Sequence, residues 1–324
     1  MRDTANVLHL RLVVPASLTD AVEDLLLADD AVSSVVVLRG VALKPTGDLV
    51  HADVAREAAN EVVQALRALG VHRQGTLHID PVQTWLSQAA FDAEQKAPGS
   101  SADSIVWAGV AQQAYEDTEA NWTFMSFMVL ATVLASIALA IDSLVLVIGA
   151  MILGPEFGAV IALGVALVRK RYHLLRRAVR TLALGFGGAI LVTTLLALAA
   201  RALGWITPAM LSAPHPQTAF VSAPDQWSFV VAVIAASAGV LSVTSSRVGG
   251  LSGVFISVTT IPAAGDIAIG LAFGQWSDVR GSGLQLLANL TGMALAGWLT
   301  LLLQQTLWSR ISRQRARLLG RLAR

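Results

Sequence analysis

The chain contains no cysteine. That excludes disulfides, thiolate metal ligands, iron–sulfur clusters and a cysteine nucleophile. Carboxylates are almost missing from the longer, C-terminal part: between Trp122 and Trp308 they are Asp142, Glu156, Asp225, Asp266 and Asp278. Charged residues make up 14% of the chain and apolar ones 55%, a balance too apolar for an ordinary soluble domain. Enzyme signatures are missing as well: no HExxH, no GxSxG, no Walker loop and no paired His/Asp set in the apolar part. No enzyme and no cofactor are expected. The glycine-rich run Gly185-Phe186-Gly187-Gly188 lies inside an apolar span and reads as packing surface rather than a phosphate loop. A first segment holding Asp3, and a strand-like run broken by His9 and Arg11, does not read as a signal peptide.

What is present is a set of long apolar segments. Six approach the roughly 20 residues a helix needs to cross a bilayer core: 122–141, 144–168, 181–203, 227–246, 248–274 and 284–307. The stretch 169–180 carries Arg169, Lys170, Arg171, Arg176, Arg177 and Arg180, and the tail after the last span is also rich in arginine. The 204–226 loop has neither Lys nor Arg, and the 275–283 loop only Arg280. By the positive-inside rule both termini are expected on the cytoplasmic side. Topology, or contact with anionic lipid, accounts for the basic stretch better than nucleic acid does. Trp122, Trp205, Trp227, Trp276 and Trp308 fall at span ends, as interfacial anchors do.

A three-span unit reads as written twice, from about Phe127 to Arg201 and from about Phe229 to Gln305. Each has a proline near the centre of its middle span: Pro155 in Gly154-Pro155-Glu156, and Pro262. Aligning the prolines also brings Gly185 onto Gly292. An odd number of spans per copy would set the copies in opposite orientations, the inverted repeat with broken second and fifth helices found in many secondary transporters. Proline in a membrane helix frees a backbone carbonyl that protein or water must satisfy. Glu156 is the sharpest candidate, since a carboxylate at mid-bilayer depth costs on the order of 3 kcal/mol and by default signals function. Asp266 takes the corresponding part in the second copy, with Ser257, Thr259 and Thr260 as hydroxyl ligands and Asn289 as a hydrogen-bonding partner. The plainer alternative is that Gly154, Gly158 and the prolines are packing and kink residues. Asp142 reads as a turn residue and helix cap.

The N-terminal part is of a different kind. Residues 7–14 read as a strand, and Ser17, Thr19 and Asp20 offer caps for a helix through Ala28. Val32–Leu38 reads as a strand and 39–54 as a turn and strand, with Pro45 and Gly47 in the turn. Residues 55–69 have helical spacing and end at Gly70; 76–80 give a last strand stopped by Pro81. The order βαββαβ is ferredoxin-like. His51, His72 and His78 match no metal-ligand spacing and read as solvated. Residues 92–103 read as a flexible linker, and 104–119 as an amphipathic helix along the membrane surface. The expected domains are 1–85, 86–121, 122–308 and 309–324.

Ile148-Gly149-Ala150-Met151-Ile152 before a mid-span Gly-Pro, after the Asp142-Ser143 turn, resembles a bacterial family of uncharacterised hydrophobic proteins with a domain of unknown function, DUF389. Ser257-Val258-Thr259-Thr260-Ile261-Pro262-Ala263-Ala264 resembles the matching segment of its second half. The resemblance covers about residues 104–306 and implies this membrane architecture, with no established activity. Where many members have Ser-Pro and an apolar residue, this chain has Gly154-Pro155-Glu156. Where the family has Asn, the neighbourhood of Asp266 is acidic. These departures weigh against a family-wide role for the two carboxylates.

The expectation is therefore an α-helical polytopic membrane bundle of six transmembrane helices, a 3+3 inverted repeat, plus an N-terminal α+β ferredoxin-like domain. The expected function is a transporter or channel for a small solute or ion in a bacterial inner membrane, with Glu156, Asp266, Gly154, Pro155, Thr259, Thr260, Pro262 and Asn289 at the site. The alternative is a membrane-anchored sensor or scaffold whose bundle does not conduct. Partners are the lipid bilayer, the solute and, from small-residue helix faces and sheet edges, a further copy of the chain.

Overall fold

The structure, a computed structural model, describes residues 7–82, 87–97, 105–212, 214–221, 226–244 and 260–322. Ser257, Thr259 and Asp225 lie outside these residues. The chain divides into two compact units, one of residues 1–110, 244–247 and 305–324 and one of residues 111–243 and 248–304.

The N-terminal unit holds β1 (Val7–Val14), α1 (Ala16–Leu27), β2 (Val32–Leu43), β3 (Thr46–Ala55), α2 (Ala59–Ala68), α3 (Val71–Gln74), β4 (Thr76–Pro81) and α4 (Gln88–Lys96). Its antiparallel sheet has the order β2-β3-β1-β4. Strand alternation sends Leu10, Leu12, Val50, Ala52 and Val54 into a core closed by Val22 and Leu26 of α1 and Val62 and Leu66 of α2. The proposed caps of α1 do not act. Pro15 occupies the cap position, and the Thr19 hydroxyl instead donates to Asp48 at 2.6 Å. Asp48 also accepts the N–H of Gly40, whose φ of 69° sits at an irregularity in β2–β3 pairing. The Thr19 hydroxyl, together with that N–H, holds the Asp48 carboxyl below the usual carboxylate range. β2 runs on to Leu43, so the turn narrows to Lys44 and Pro45. The expected flexible linker is partly wrong: residues 88–96 form α4, capped by Ser87, and its Ala90 and Ala93 are buried.

The larger unit contains the end of α5 (Trp107–Asp117), then α6 (Trp122–Ala140), α7 (Leu144–Leu153), α8 (Glu156–Val168), α9 (Tyr172–Ala202), the short α10 (Pro208–Leu211), α11 (Gln226–Thr244), α12 (Thr260–Phe273) and most of α13 (Trp276–Leu322). Among the described residues three helices are long and apolar enough to cross a membrane: α6, α9 and α13 as far as Leu307. There are four if α7 and α8, bent by 55°, form one span; α11 and α12 are apolar but shorter. Six full spans are thus not seen among the described residues.

Packing here is inside out relative to the sheet unit. The core is small, with Ala131, Ala135, Ala150, Ala189, Ala232, Ala236, Ala263 and Ala264 around Met128 and Met293, while Leu130, Leu191, Leu195, Leu284 and Leu299 face outward. Exposed leucines on this scale need an apolar surrounding, and small residues let helices approach closely inside one. The unit is compatible with a membrane protein. Trp122 and Trp276 are the first residues of their helices and are exposed, as is Trp205 just past α9.

Two loop expectations change. The basic stretch 169–180 is a tight turn followed by the first turns of α9, and the arginine-rich tail continues α13 to Leu322. Among the described residues α12 runs through Pro262, from Thr260 to Phe273.

A recurring interval links the two halves of this unit, and it is not the spacing of the prolines. Glu156 and Thr260, 104 residues apart, meet directly. The same interval separates the left-handed turn residues Lys170 (φ 51°) and Gly274 (φ 75°), and the starts of α9 and α13. It also separates Gly188, which leaves room for Met125, from Gly292, which leaves room for Phe229. Likewise Gly164 of α8 abuts Gly297 and Trp298 of α13, while the carbonyl of Ala268 in α12 accepts from Thr194 of α9 at 3.3 Å. At this interval Gly188, rather than Gly185, pairs with Gly292, and Gly158 rather than Pro155 with Pro262.

Candidate functional site at the α7–α8 break

α7 ends at Leu153 because Gly154 leaves the helical region (φ −67°, ψ 123°) and Pro155 follows. Proline suits the cap position of α8, where no N–H is required. Glu156 is then the first residue of α8, where a carboxylate complements the partial positive charge of the helix N-terminus. A Cβ on Gly154 would run into the Glu156 carboxylate and the Ile261 side chain. Glycine is needed there to let the carboxylate fold back under the break.

Glu156 is 1% exposed. Its Oε1 accepts the hydroxyl hydrogen of Thr260, which is fully buried at the start of the described part of α12, at 2.7 Å. Charged acceptors make the stronger hydrogen bonds. Ile261 and Pro262 next to Thr260 are also buried. The structure thus brings together Glu156, Gly154, Pro155, Thr260 and Pro262; Thr259 lies outside the described residues.

Asp266 is placed elsewhere. It sits six residues beyond Thr260, about 9 Å along the helix axis, and its Oδ2 accepts from Ser282 of α13 at 2.5 Å. The residue 104 positions before Asp266 is Ala162. Asn289, buried in α13, shares one face with Ser282 and Gln285, also buried. The i, i+3, i+7 spacing of this polar stripe was readable in the sequence at helical period.

One neighbour of the break was not anticipated. Asp117, the last residue of α5, lies over Gly158, where a Cβ would come within 2.6 Å of its Cγ. Its Oδ1 accepts from Gln113 at 2.8 Å, and burial pushes the carboxyl above its usual range. The end of α5 is tied to α9: the Thr118 carbonyl accepts from Thr181 at 2.7 Å and from Arg177 at 3.3 Å, and Arg171 lies over the Tyr115 ring. Asp142 is a loop clamp as well as a turn residue. Its carboxylate accepts from the backbone and hydroxyl of Thr218, and Ser143 beside it caps α7.

Chemically, the break presents one buried carboxylate, one hydroxyl and a helix N-terminus. That set can bind a cation or exchange a proton; it holds no nucleophile–base pair. Comparison with curated proteins and with solved structures found no match. Residues 151–295 match the family model described as domain of unknown function (DUF389), a stretch that includes Glu156, Thr260, Asp266 and Asn289, and this part of the chain belongs to that family.

Proposed function

We propose that the protein is a membrane transporter or channel for a small solute or ion, built as two three-helix copies of opposite orientation. The observation that carries this is Glu156: a fully buried carboxylate at a 55° break in an apolar helix pair, bonded to Thr260. Buried ionisable groups in apolar helices are expensive, and they mark ion or proton paths. Broken helices at the interface of two repeats are where secondary transporters place their sites. The 104-residue interval supports the repeat. A residue that meets its own counterpart lies on the two-fold axis relating the copies, which puts the Glu156–Thr260 pair on that axis. On this reading α7–α8 and the segment ending in α12 are the broken second and fifth spans of six. The sheet order β2-β3-β1-β4 supports reading the N-terminal unit as a ferredoxin-like regulatory domain. Basic residues at 169–180 support cytoplasmic termini in a cell membrane. Association of copies is part of the proposal, and an enzymatic role is not.

The test is a flux screen of small solutes and ions on purified protein in sealed liposomes, with Glu156→Gln beside the wild type. Flux that disappears in a folded, monodisperse variant supports permeation through the break. Absence of flux under every gradient in both proteins would replace this reading with a membrane-anchored sensor.

A further inference from the structure

The N-terminal sheet carries a polar chain that plays no part in the membrane unit. On the face away from Leu10, Leu12, Val50 and Ala52, His9 of β1 lies between two residues of β3. Its Nδ1 is 2.7 Å from the Asp53 carboxylate and its Nε2 is 2.8 Å from Nδ1 of His51. The two imidazole rings are 5.0 Å apart and tilted by 30°. Strand register places His9 opposite both Asp53 and Asp80, and Arg11 opposite both His51 and His78. On β2 the facing positions are Ser34 and Val36, which carry no charge. α4, packed on β2 and β3, carries Asp92, Glu94 and Lys96, the last within 3.6 Å of Asp30. Asp53 is buried and His9 half-buried.

We propose that Asp53, His9 and His51 form a site for a single proton on this sheet face, distinct from the membrane site. The hydrogen-bond inventory of imidazole sets the limit. A carboxylate facing Nδ1 of His9 requires a hydrogen there. The contact between Nε2 of His9 and Nδ1 of His51 then needs one hydrogen between two nitrogens. With both rings neutral, His51 donates that hydrogen; with one imidazolium, either ring donates. With two imidazolium rings, N–H would face N–H, and the bond would give way to repulsion between like charges. The chain therefore takes up its first proton with the bond intact and its second only by separating the rings.

The surroundings favour this order. Burial, then His9 and Arg11, hold the His51 imidazole below its usual range, while Asp53 opposes them. A transition-metal pair of histidines is the competing use of two converging ring nitrogens, but among the described residues no third ligand completes a metal set. The inference stands whether or not the membrane unit conducts.

The test uses the full-length protein in detergent, labelled with 15N at histidine and followed by long-range 1H–15N spectra from about pH 5 to 8. His9→Gln and His51→Gln assign the signals. Neutral His9 is expected as the Nδ1–H tautomer in the wild type, a readout that depends on no variant. The His51 midpoint is expected below about 6.5. It should rise in His9→Gln and fall in Asp53→Asn. Neutral His9 found as the Nε2–H tautomer, or a His51 midpoint unmoved by His9→Gln, would overturn the proposal. Stoichiometric Zn²⁺ shifting both rings together would overturn it in favour of a metal site.

Discussion

The two halves of the larger unit share a packing plan and differ in chemistry. α8 and α12 are followed by left-handed residues, Lys170 and Gly274, and then by the long helices α9 and α13. Close approaches recur at the same interval, at Gly188 with Met125 and at Gly292 with Phe229. The buried Thr181 and Gln285 are both polar at this interval, but the carboxylates do not recur. Glu156 accepts from Thr260, while the residues 104 positions before Asp266 and Asn289 are Ala162 and Gly185. The packing needs small residues in both halves, whereas a binding site needs its charge only once. Functional groups are therefore sought where the halves disagree, and most of all at the Glu156–Thr260 pair.

The largest effect that would break this comparison is steric. Phe157 of α8 lies where a Cβ on Gly239 of α11 would be, and Ala135 and Ser136 of α6 lie against Gly265 of α12. Gly239→Leu and Gly265→Leu should each cost about 3 kcal/mol and lower the recovery of monodisperse protein in size-exclusion chromatography. If one is tolerated and the other is not, the halves do not pack alike. Next comes Thr260→Val, which removes the hydroxyl bonded to buried Glu156. About 2 kcal/mol should be lost, read as a lower thermal midpoint. Glu156→Gln combined with Thr260→Val should lose less than the sum of the two single changes.

A smaller contrast sharpens the register. In Gly292→Ala the new methyl meets the edge of the Phe229 ring, and in Gly188→Ala the flexible end of Met125. The first should cost on the order of 1 kcal/mol and the second less. The smallest effects lie in pH. The raised Asp117 carboxyl gives stability that is present at low pH and lost as pH rises through its folded value. Asp117→Asn should raise the neutral-pH thermal midpoint by about 2 °C. His51, held low, acts in the opposite direction: stability falls as pH drops from about 6.5 toward its folded value. Measuring the midpoint against pH for wild type and both variants separates these contributions.

Much of this fold is legible in the sequence because it depends on length and period. Trp122–Ala140 was marked by unbroken apolar length, β1 and β4 by alternation, and Glu156 by its rarity among apolar residues. Register was not legible, since glycines and alanines align with one another at many offsets. Contacts such as those at Gly188 and Gly292, 104 residues apart, lie between separate helices and leave no local pattern. Asp117 over Gly158, and His9 between Asp53 and His51, arise from contacts between separate elements that no local pattern encodes.

The most direct test sets the two carboxylates against each other: flux through sealed liposomes for Glu156→Gln and Asp266→Asn, each checked for folded, monodisperse protein. A fall of about tenfold or more in Glu156→Gln, with Asp266→Asn close to wild type, is the predicted result. Flux retained in Glu156→Gln and lost in Asp266→Asn would contradict a site on the axis between the two halves.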